Sequence, residues 1–506
     1  MYLKKTIFIK NALILTASSL ILRFIGIIFK VWLAKDIGSE GMGLYQLVFS
    51  VYVLATTFAI SGTSTAVTRL VAEELALGSK RGVLKILWRA VLVTLVIAIF
   101  SMLVLYLGAE FIAKTLLSDM RTLPALKILP LSLPFLAVTS CLRGYFIARR
   151  KVTPSALSQI FEQVVRIVII FSLLSKFKGS GLEFSCFAVI LGDAAAEILA
   201  CVCLYILFLF DKNNLKILKG RENPPYSVLR QILHISVPIT SGKYLNSGLR
   251  TAENILVPKN LAKFPASKDN ALSLFGGIKG MALPLLFFPA ALLNAISTLL
   301  IPEISEAVAK KQNATVKYAC EKVFKLTSLV GLLFGTIFFV AGEEIGILIY
   351  NDLEIGFLLK ALSPIVPLMY LDSISDGILK GLDQQSFTFR TAVSDSAIRI
   401  ILILLILPKT GIMGFIGIMY FSNIFTCFLN VGRLIKISGA KVQLFKNIFT
   451  PLVAALTVCL IFRFLLLHLS FLNNFWYTVI FCFLSCFGYL FIIFGLKIIK
   501  KEDFLR

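Results

Sequence analysis

Charged side chains interrupt the apolar segments of this sequence, and two of these interruptions have the same form. Glu162 precedes Arg166 by four residues, and Asp395 precedes Arg399 by four residues. An acid four residues before a base can form an ion pair on one face of a helix. In a bilayer an ionisable group costs at least about 2.5–3.5 kcal/mol, so it normally faces a partner, a cavity or water. We interpret both pairs as structural ion pairs within a bundle, with direct binding of a substrate or an ion as the alternative.

A second set of charges consists of cations without an obvious acid on the same helix. They are Arg23, Lys30, Lys243, Arg250 and Lys279. Glu253, three residues after Arg250, is the exception. Arginine can hold a phosphate through two hydrogen bonds, and lysine can hold it as a point charge. These cations predict a site for an anion, above all a phosphate or diphosphate; local salt bridges, and snorkelling for Lys30, are the alternatives.

The composition identifies the surroundings of these charges as a membrane. Of the 506 residues, 58% are hydrophobic, whereas soluble domains have about 45–50% apolar residues. Apolar segments of about 20 residues, the length that crosses a bilayer, recur along the chain. The first of them lacks a small-residue cleavage site, so we expect it to stay as a helix.

The same composition argues against several other classes of protein. The net charge of +24 is divided among short loops rather than gathered in a patch, so we expect no nucleic-acid partner. The nine Cys and two His show no metal-ligand spacing, and no phosphate-binding loop or nucleophile elbow is present. The sequence therefore predicts neither an enzyme nor a resident metal or cofactor.

The apolar windows predict about fourteen membrane-spanning helices. We number these spans 1 to 14 in chain order, near residues 11–34, 44–68, 87–109, 123–147, 154–175, 183–210, 229–256, 272–304, 318–341, 356–380, 388–407, 412–435, 447–468 and 474–497. Lys and Arg favour one of the two alternate sets of connections by roughly three to one. Since such residues stay on the cytoplasmic side, both termini are predicted to lie in the cytoplasm.

The two ion pairs also belong to an internal repeat. A shift of 233 positions (395 − 162) superimposes them, and it also places Gly144 on Gly377 and Pro134 on Pro367. Six spans separate the copies, so both have the same orientation and the repeat is parallel, with a pseudo-two-fold axis along the membrane normal. The predicted fold class is an all-α polytopic membrane protein with two six-helix lobes and two extra C-terminal helices.

This repeat defines the expected domains. They are an N-terminal lobe at 1–210, a cytoplasmic linker at 211–228, a C-terminal lobe at 229–436, and two extra transmembrane helices with a cytoplasmic tail at 437–506. The unmatched cations come from spans 1, 7 and 8, which begin the lobes, so we expect them to line a cleft between the lobes. Gly and Pro residues around Lys279 break span 8, and the small residues of "SGTSTA" at 61–66 favour close helix packing.

Several segments together resemble the stage V sporulation protein B group of polysaccharide transporters, in the multidrug/oligosaccharidyl-lipid/polysaccharide (MOP) exporter superfamily. They are "ILRFIGIIFKVWLAKDIGSEGMGLYQL", "SGTSTAVTRLVAEE", "LRGYFIARRKVTPSALSQIFEQVVRI", "SVPIT" and "GGIKGMALPLLFFPAALLNAISTLLIPEISEA". The resemblance extends over nearly the whole chain. It implies a V-shaped transporter of a bacterial cytoplasmic membrane that flips undecaprenyl-diphosphate-linked sugars.

The resemblance also implies roles for particular residues. In the related lipid II flippases, cavity arginines hold the diphosphate; Arg23 and Arg250 match these best, and Lys30 and Lys243 match less closely. The extra spans 13 and 14 would form a groove for the polyprenyl tail. No nucleotide motif is present, so Na⁺, H⁺ or the membrane potential would drive transport, with Glu253, Asp395 and Asn423 as candidate ion-coupling residues.

Two other functions remain as alternatives to a flippase. A cation-coupled multidrug antiporter would call for an acidic, aromatic pocket and twelve spans. A non-transporting scaffold for cell-wall or spore-cortex synthesis would be favoured if the membrane charges proved to be mutually paired. The expected partners are a polyprenyl-diphosphate-linked glycan and membrane lipid, with cell-wall synthesis proteins as a further option.

Overall fold

The structure, a computed structural model, describes residues 2–60, 62–176, 181–213, 227–291, 293, 304–441, 443–467 and 474–498. Within these ranges the chain is helical and contains no strand. The helices are α1 (Tyr2–Ile60), α2 (Thr63–Ala76), α3 (Lys80–Leu117), α4 (Met120–Ala148), α5 (Thr153–Lys176), α6 (Leu182–Asn213), α7 (Val228–Leu261), α8 (Ala271–Phe287), α9 (Asn313–Tyr350), α10 (Leu353–Gly381), α11 (Gln385–Ser438), α12 (Phe445–Leu466) and α13 (Asn474–Gly495).

Each of the fourteen predicted spans overlaps at least one of these helices, and span 2 covers the end of α1 and the start of α2. Two helices carry two spans each, because α1 bends at Gly38 (φ 70°) and α11 bends at Gly411 (φ 60°). Glycine adopts a positive φ without the steric penalty of a Cβ atom, so it permits such a bend. Within span 8, residues 292 and 294–303 lie outside the described residues.

The predicted class, an all-α multi-pass membrane protein with about fourteen spans, is confirmed. Over the described residues, ten helical segments are long and apolar enough to cross a membrane, and α8 is a shorter apolar helix. The described residues form ten such segments rather than fourteen because each bent helix that carries two spans counts once. In addition, α8 is short, and α7 is more polar than the other helices.

The chain divides into two compact units, which are not contiguous in sequence. Unit 1 comprises residues 1–29 and 41–259, and unit 2 comprises residues 30–40 and 260–506. Helix α7 therefore packs with unit 1, where its Val228 and Ile232 join the apolar core formed by α2, α3, α4 and α6. Residues 214–226 of the expected linker lie outside the described residues, and the lobe boundaries taken from the repeat stay a prediction.

Small residues bring helices of unit 1 close together. A Cβ atom on Gly144 of α4 would lie 2.8 Å from the carbonyl oxygen of Ser64, and one on Gly62 would lie 2.8 Å from the carbonyl oxygen of Ser236. Thr68 also donates a hydrogen bond of 3.1 Å to the carbonyl of Gly144. These contacts agree with the packing interpretation of "SGTSTA", of which Ser61 lies outside the described residues.

In unit 2, the additional helix α12 is joined to α9 by a polar contact. Helix α9 departs from helical geometry at Ala341 (φ −121°, ψ 22°). Arg463 of α12 donates to the carbonyl of Val340 at this break, and its guanidinium lies 3.0 Å from Glu344. Because a break in a membrane helix leaves backbone groups without partners, this arginine satisfies one of them.

Candidate functional site

Three of the five predicted anion-binding cations belong to unit 1. Arg23 lies on α1, and Lys243 and Arg250 lie on α7; all three are exposed. In the part of the chain that the structure describes, none of the three forms an ion pair. Lys243 and Arg250 are seven residues apart, nearly two helical turns, so they lie on the same face of α7.

Polar contacts hold this part of α7 against α1. Thr251 donates a hydrogen bond of 3.0 Å to the carbonyl of Ser50, and Asn254 donates one of 2.9 Å to the Ser50 hydroxyl. The rings of Phe58 and Tyr244 stack with centroids 4.2 Å apart. These contacts fix the helix that carries the two cations while the cations themselves remain exposed.

The other two predicted cations belong to unit 2 and are half-buried. Lys30 lies on α1, and Lys279 lies in a π-helical turn, Gly277–Ala282, within α8. Both have interaction partners. A π-helical turn inside a helix is frequent at functional sites, and here it coincides with the glycines that flank Lys279. That all five cations line one cleft stays a prediction.

The acid–base pair of α5 is part of a larger polar network in unit 1. Arg166 lies 2.8 Å from Glu162 on its own helix and 2.9 Å from Asp193 on α6, and 4.0 Å separates it from Glu197. Arg143 of α4 binds the other oxygen of Glu162 at 2.9 Å. Two arginines thus meet three carboxylates, and these five side chains come from three helices, which is the contact pattern of a structural junction.

The pair of α11 lies in a simpler network in unit 2. Arg399 lies 3.3 Å from Asp395, and the Ser422 hydroxyl donates a hydrogen bond of 2.6 Å to the same carboxylate. Asn430 donates a hydrogen bond of 2.8 Å to Asp372 of α10. Among the described residues, the ion pair of this network involves one arginine, whereas the network of unit 1 involves two.

Polar residues near one ion pair lie 233 positions before polar residues near the other. The i,i+4 spacing within a single helix does not reveal this relation. The additional corresponding positions are Thr139 with Asp372, Arg143 with Asp376, Asp193 with Thr426, and Glu197 with Asn430. All eight residues are polar or charged, although the two members of each pair are different amino acids. Extending the shift beyond the two i,i+4 pairs would have found them.

The three candidate ion-coupling residues occupy different environments. Glu253 is 2% exposed and has an interaction partner. Asp395 is also buried, between Arg399 and Ser422. Asn423 donates a hydrogen bond of 2.7 Å to the carbonyl of Met419 on its own helix, so its amide carbonyl is the group left to accept or to coordinate. Their coupling role stays a prediction.

Unit 2 contains an apolar cavity of about 380 Å³ between α9, α10 and α12. Its wall includes Leu332 and Phe339 of α9, Leu371 of α10, and Leu452 and Leu456 of α12. The polar side chains in the lining are small Ser and Thr residues. The cavity therefore suits hydrocarbon, and it involves a helix that lies outside the repeat.

Comparison with known proteins places the chain in a family. Residues 8–263, half of the chain, match the polysaccharide biosynthesis protein family. Stage V sporulation protein B of Bacillus subtilis (strain 168) is 31% identical over 418 residues, which cover 81% of this chain and 80% of that protein. Lipid II flippase MurJ of the same organism is 24% identical over 78% of this chain and 76% of its own length.

Solved structures of low sequence identity have the same fold. Lipid II flippase MurJ in an inward closed conformation matches 97% of this chain and 100% of its own, with a TM-score of 0.71 at 15% identity. An inward-facing multidrug resistance MATE family transporter of the MOP superfamily matches 83% of this chain and 96% of its own, with a TM-score of 0.63 at 11% identity. The chain thus belongs to the polysaccharide biosynthesis protein family and has the fold of MOP-superfamily transporters.

Proposed function

We propose that this chain is a flippase that moves an undecaprenyl-diphosphate-linked oligosaccharide or peptidoglycan precursor across the bacterial cytoplasmic membrane by alternating access. The apolar cavity between α9, α10 and α12 carries this proposal. A carrier of small soluble molecules has no need for a hydrocarbon-lined recess on helices outside its repeat, whereas a lipid-linked substrate must place its polyprenyl tail in an apolar environment while the polar headgroup crosses.

The exposed cations of unit 1 support a diphosphate as the group that is bound. A membrane protein does not normally keep arginines within its spans without partners, because an uncompensated charge is costly in lipid. Arg23, Lys243 and Arg250 lack ion-pair partners among the described residues. This favours an anionic ligand over the scaffold alternative, which would be favoured if the membrane charges were mutually paired.

Transport would proceed by exposing the cationic site first to the cytoplasm and then to the outside. We propose that both termini lie in the cytoplasm and that Glu253, Asp395 and Asn423 are candidates for coupling this change to Na⁺ or H⁺. The membrane potential supplies about 2.3 kcal/mol per charge at 100 mV. The partners would be the lipid-linked glycan and, for delivery or use of it, cell-wall synthesis proteins.

Flipping of a lipid-linked oligosaccharide in proteoliposomes tests the proposal. The readout is the rate at which the sugar becomes accessible to an enzyme outside the vesicle. We expect Arg23→Ala and Arg250→Ala each to lower this rate roughly ten- to hundredfold, the typical effect of losing a charged hydrogen bond. Arg230→Ala is the matched control, because Arg230 is an exposed arginine near the start of the same helix; it should keep the wild-type rate.

A second pair of measurements tests the apolar cavity. Leu452→Trp fills part of it and should slow the flipping of a substrate with an undecaprenyl tail, while a substrate with a short isoprenoid tail should be flipped at the wild-type rate. If the wild-type chain flips neither substrate, the proposed function is wrong. If it flips them and both arginine variants match it, the function stands and the assignment of the anion site is wrong.

A further inference from the structure

A basic pocket lies in unit 2, at the junction of α9 and the start of α12, apart from all the residues discussed above. Its volume is about 190 Å³, and its wall includes Lys322, Lys325, Lys441 and Lys446. One carboxylate, that of Glu321, also lines it. Glu321 accepts a hydrogen bond of 2.7 Å from the backbone N–H of Lys441, so this acid also holds the loop that brings in the lysine. Four ammonium groups against one carboxylate make the pocket strongly cationic.

The segment that enters the pocket also carries exposed apolar side chains. Leu444, Phe445 and Phe449 are 59%, 78% and 57% exposed, whereas Asn447 is buried against the pocket. The π-helical turn Phe445–Phe449 thus presents apolar groups to its surroundings beside the pocket. Basic groups next to exposed aromatic groups are typical of the boundary between headgroups and acyl chains.

We propose that this pocket binds the phosphodiester headgroup of an anionic bilayer phospholipid, with the acyl chains against Phe445 and Phe449. Basic pockets between transmembrane helices on the cytoplasmic side bind such headgroups. The connection at 436–446 joins spans 12 and 13, and with both termini in the cytoplasm the predicted topology places it on the cytoplasmic side. Lysines act as mobile point charges and need no fixed fork geometry, which suits a headgroup. The pocket is smaller than the roughly 300–1,000 Å³ that encloses drug-sized ligands, so an oligosaccharide does not fit.

The bound lipid would tie the added helix α12 to α9 at the membrane surface. Lys322 and Lys325 belong to α9, and Lys446 belongs to α12. A shared anion would offset part of the repulsion between these like charges and hold the two helices together. This inference is independent of the proposed flippase activity, because its site contains none of the residues assigned to the transported substrate.

Thermal unfolding of the full-length purified chain in mixed micelles tests the site. The probe is dioleoyl phosphatidylglycerol, with dioleoyl phosphatidylcholine as the uncharged comparison. We expect the anionic lipid to raise the unfolding temperature of the wild type more than the zwitterionic lipid does, and we expect added salt to weaken this difference. The double variant Lys322→Gln/Lys446→Gln should need a roughly ten- to thirtyfold higher phosphatidylglycerol concentration to reach half of its maximal rise in unfolding temperature. The reason is that each lysine near an anionic surface contributes about 1 kcal/mol.

Two further variants serve as controls. Lys310→Gln/Lys311→Gln removes the same charge from exposed lysines before α9, and it should respond to phosphatidylglycerol like the wild type. Lys322→Arg/Lys446→Arg keeps the charge and should restore the response. The inference would be overturned if phosphatidylglycerol raised the unfolding temperature of Lys322→Gln/Lys446→Gln with the same concentration dependence as that of the wild type. It would equally be overturned if Lys322→Gln/Lys446→Gln weakened stabilisation by inorganic phosphate or farnesyl diphosphate as much as stabilisation by phosphatidylglycerol, because the pocket would then hold any phosphate rather than a phospholipid headgroup.

Discussion

Arg166 is the centre of the polar network in unit 1. Its guanidinium lies within 3 Å of Glu162, Gln163 and Asp193, and its side chain is 21% exposed. A guanidinium has five N–H donors in a fixed plane, so it can bind several acceptors from different directions at once. Arg166 thereby joins α5 to α6, and Glu162 carries the connection on to Arg143 of α4.

Removing this arginine should destabilise unit 1. In the variant Arg166→Met, Glu162, Asp193 and Glu197 would share a single remaining arginine, Arg143. Breaking a buried ion pair by loss of one partner typically costs about 3–5 kcal/mol of folding free energy. The nine cysteines are free thiols, six of them buried, so the rate at which a thiol-reactive fluorophore reacts on heating reports unfolding. We expect a clearly lower midpoint than in the wild type.

The corresponding arginine of unit 2 provides the comparison. Arg399→Met should lower the midpoint less, because Asp395 keeps its hydrogen bond from Ser422. Arg166→Lys should restore part of the loss through charge alone. Equal midpoints for Arg166→Met and the wild type would contradict a structural role for the network and would favour the alternative role in binding.

The sequence predicts one part of this network and misses another for a physical reason. Helix geometry relates Glu162 to Arg166, because residues four apart lie side by side. Arg143 and Asp193 reach the same place from other helices, and no local spacing encodes such a meeting. What the sequence does contain is the 233-residue correspondence, which places a polar residue at each of these positions in both halves.

At the scale of elements, α9 depends on glycines for its packing against α10. Gly331 and Gly335 face Pro367, Gly342 faces the backbone of Lys360, and Gly346 faces Gly356. Small residues four apart let the backbones of membrane helices approach closely. The apolar windows predicted the two helices, but not this contact, since it depends on which face of α9 meets its neighbour.

Gly346→Ala should therefore disturb α9 and α10 together. A Cβ atom at this position would lie 2.4 Å from the backbone of Gly356, so the helices would have to separate, at a cost of about 1–3 kcal/mol. Gly417→Ala is the control, because among the described residues no atom outside the local backbone of its own helix lies within 4 Å of its Cβ position; in a helix this change should be neutral or stabilising. The thiol-reactivity midpoint measures both, and equal midpoints for the two variants would contradict the packing argument.

At the scale of the whole molecule, the balance of lysine and arginine predicts which connections lie in the cytoplasm. Cysteines placed singly in a chain without its native cysteines test this topology. Gln312→Cys lies before α9 and should react with a membrane-impermeant maleimide only after the cells are opened. Leu353→Cys follows α9, is 65% exposed in the wild type, and should react in intact cells. Reversed labelling would place the termini outside and would move the basic pocket to the opposite leaflet.

The bend of α1 has a consequence for how the protein is made. Residues 30–40 belong to unit 2, and Ser39 forms a hydrogen bond with Ser273, 234 residues later in the chain. At about 5–20 residues per second, synthesis of that partner takes roughly 10–50 s longer. The first helix must therefore persist in the nascent membrane protein without these contacts. Residues 30–40 can pack into unit 2 only after more than half of the chain has been synthesised.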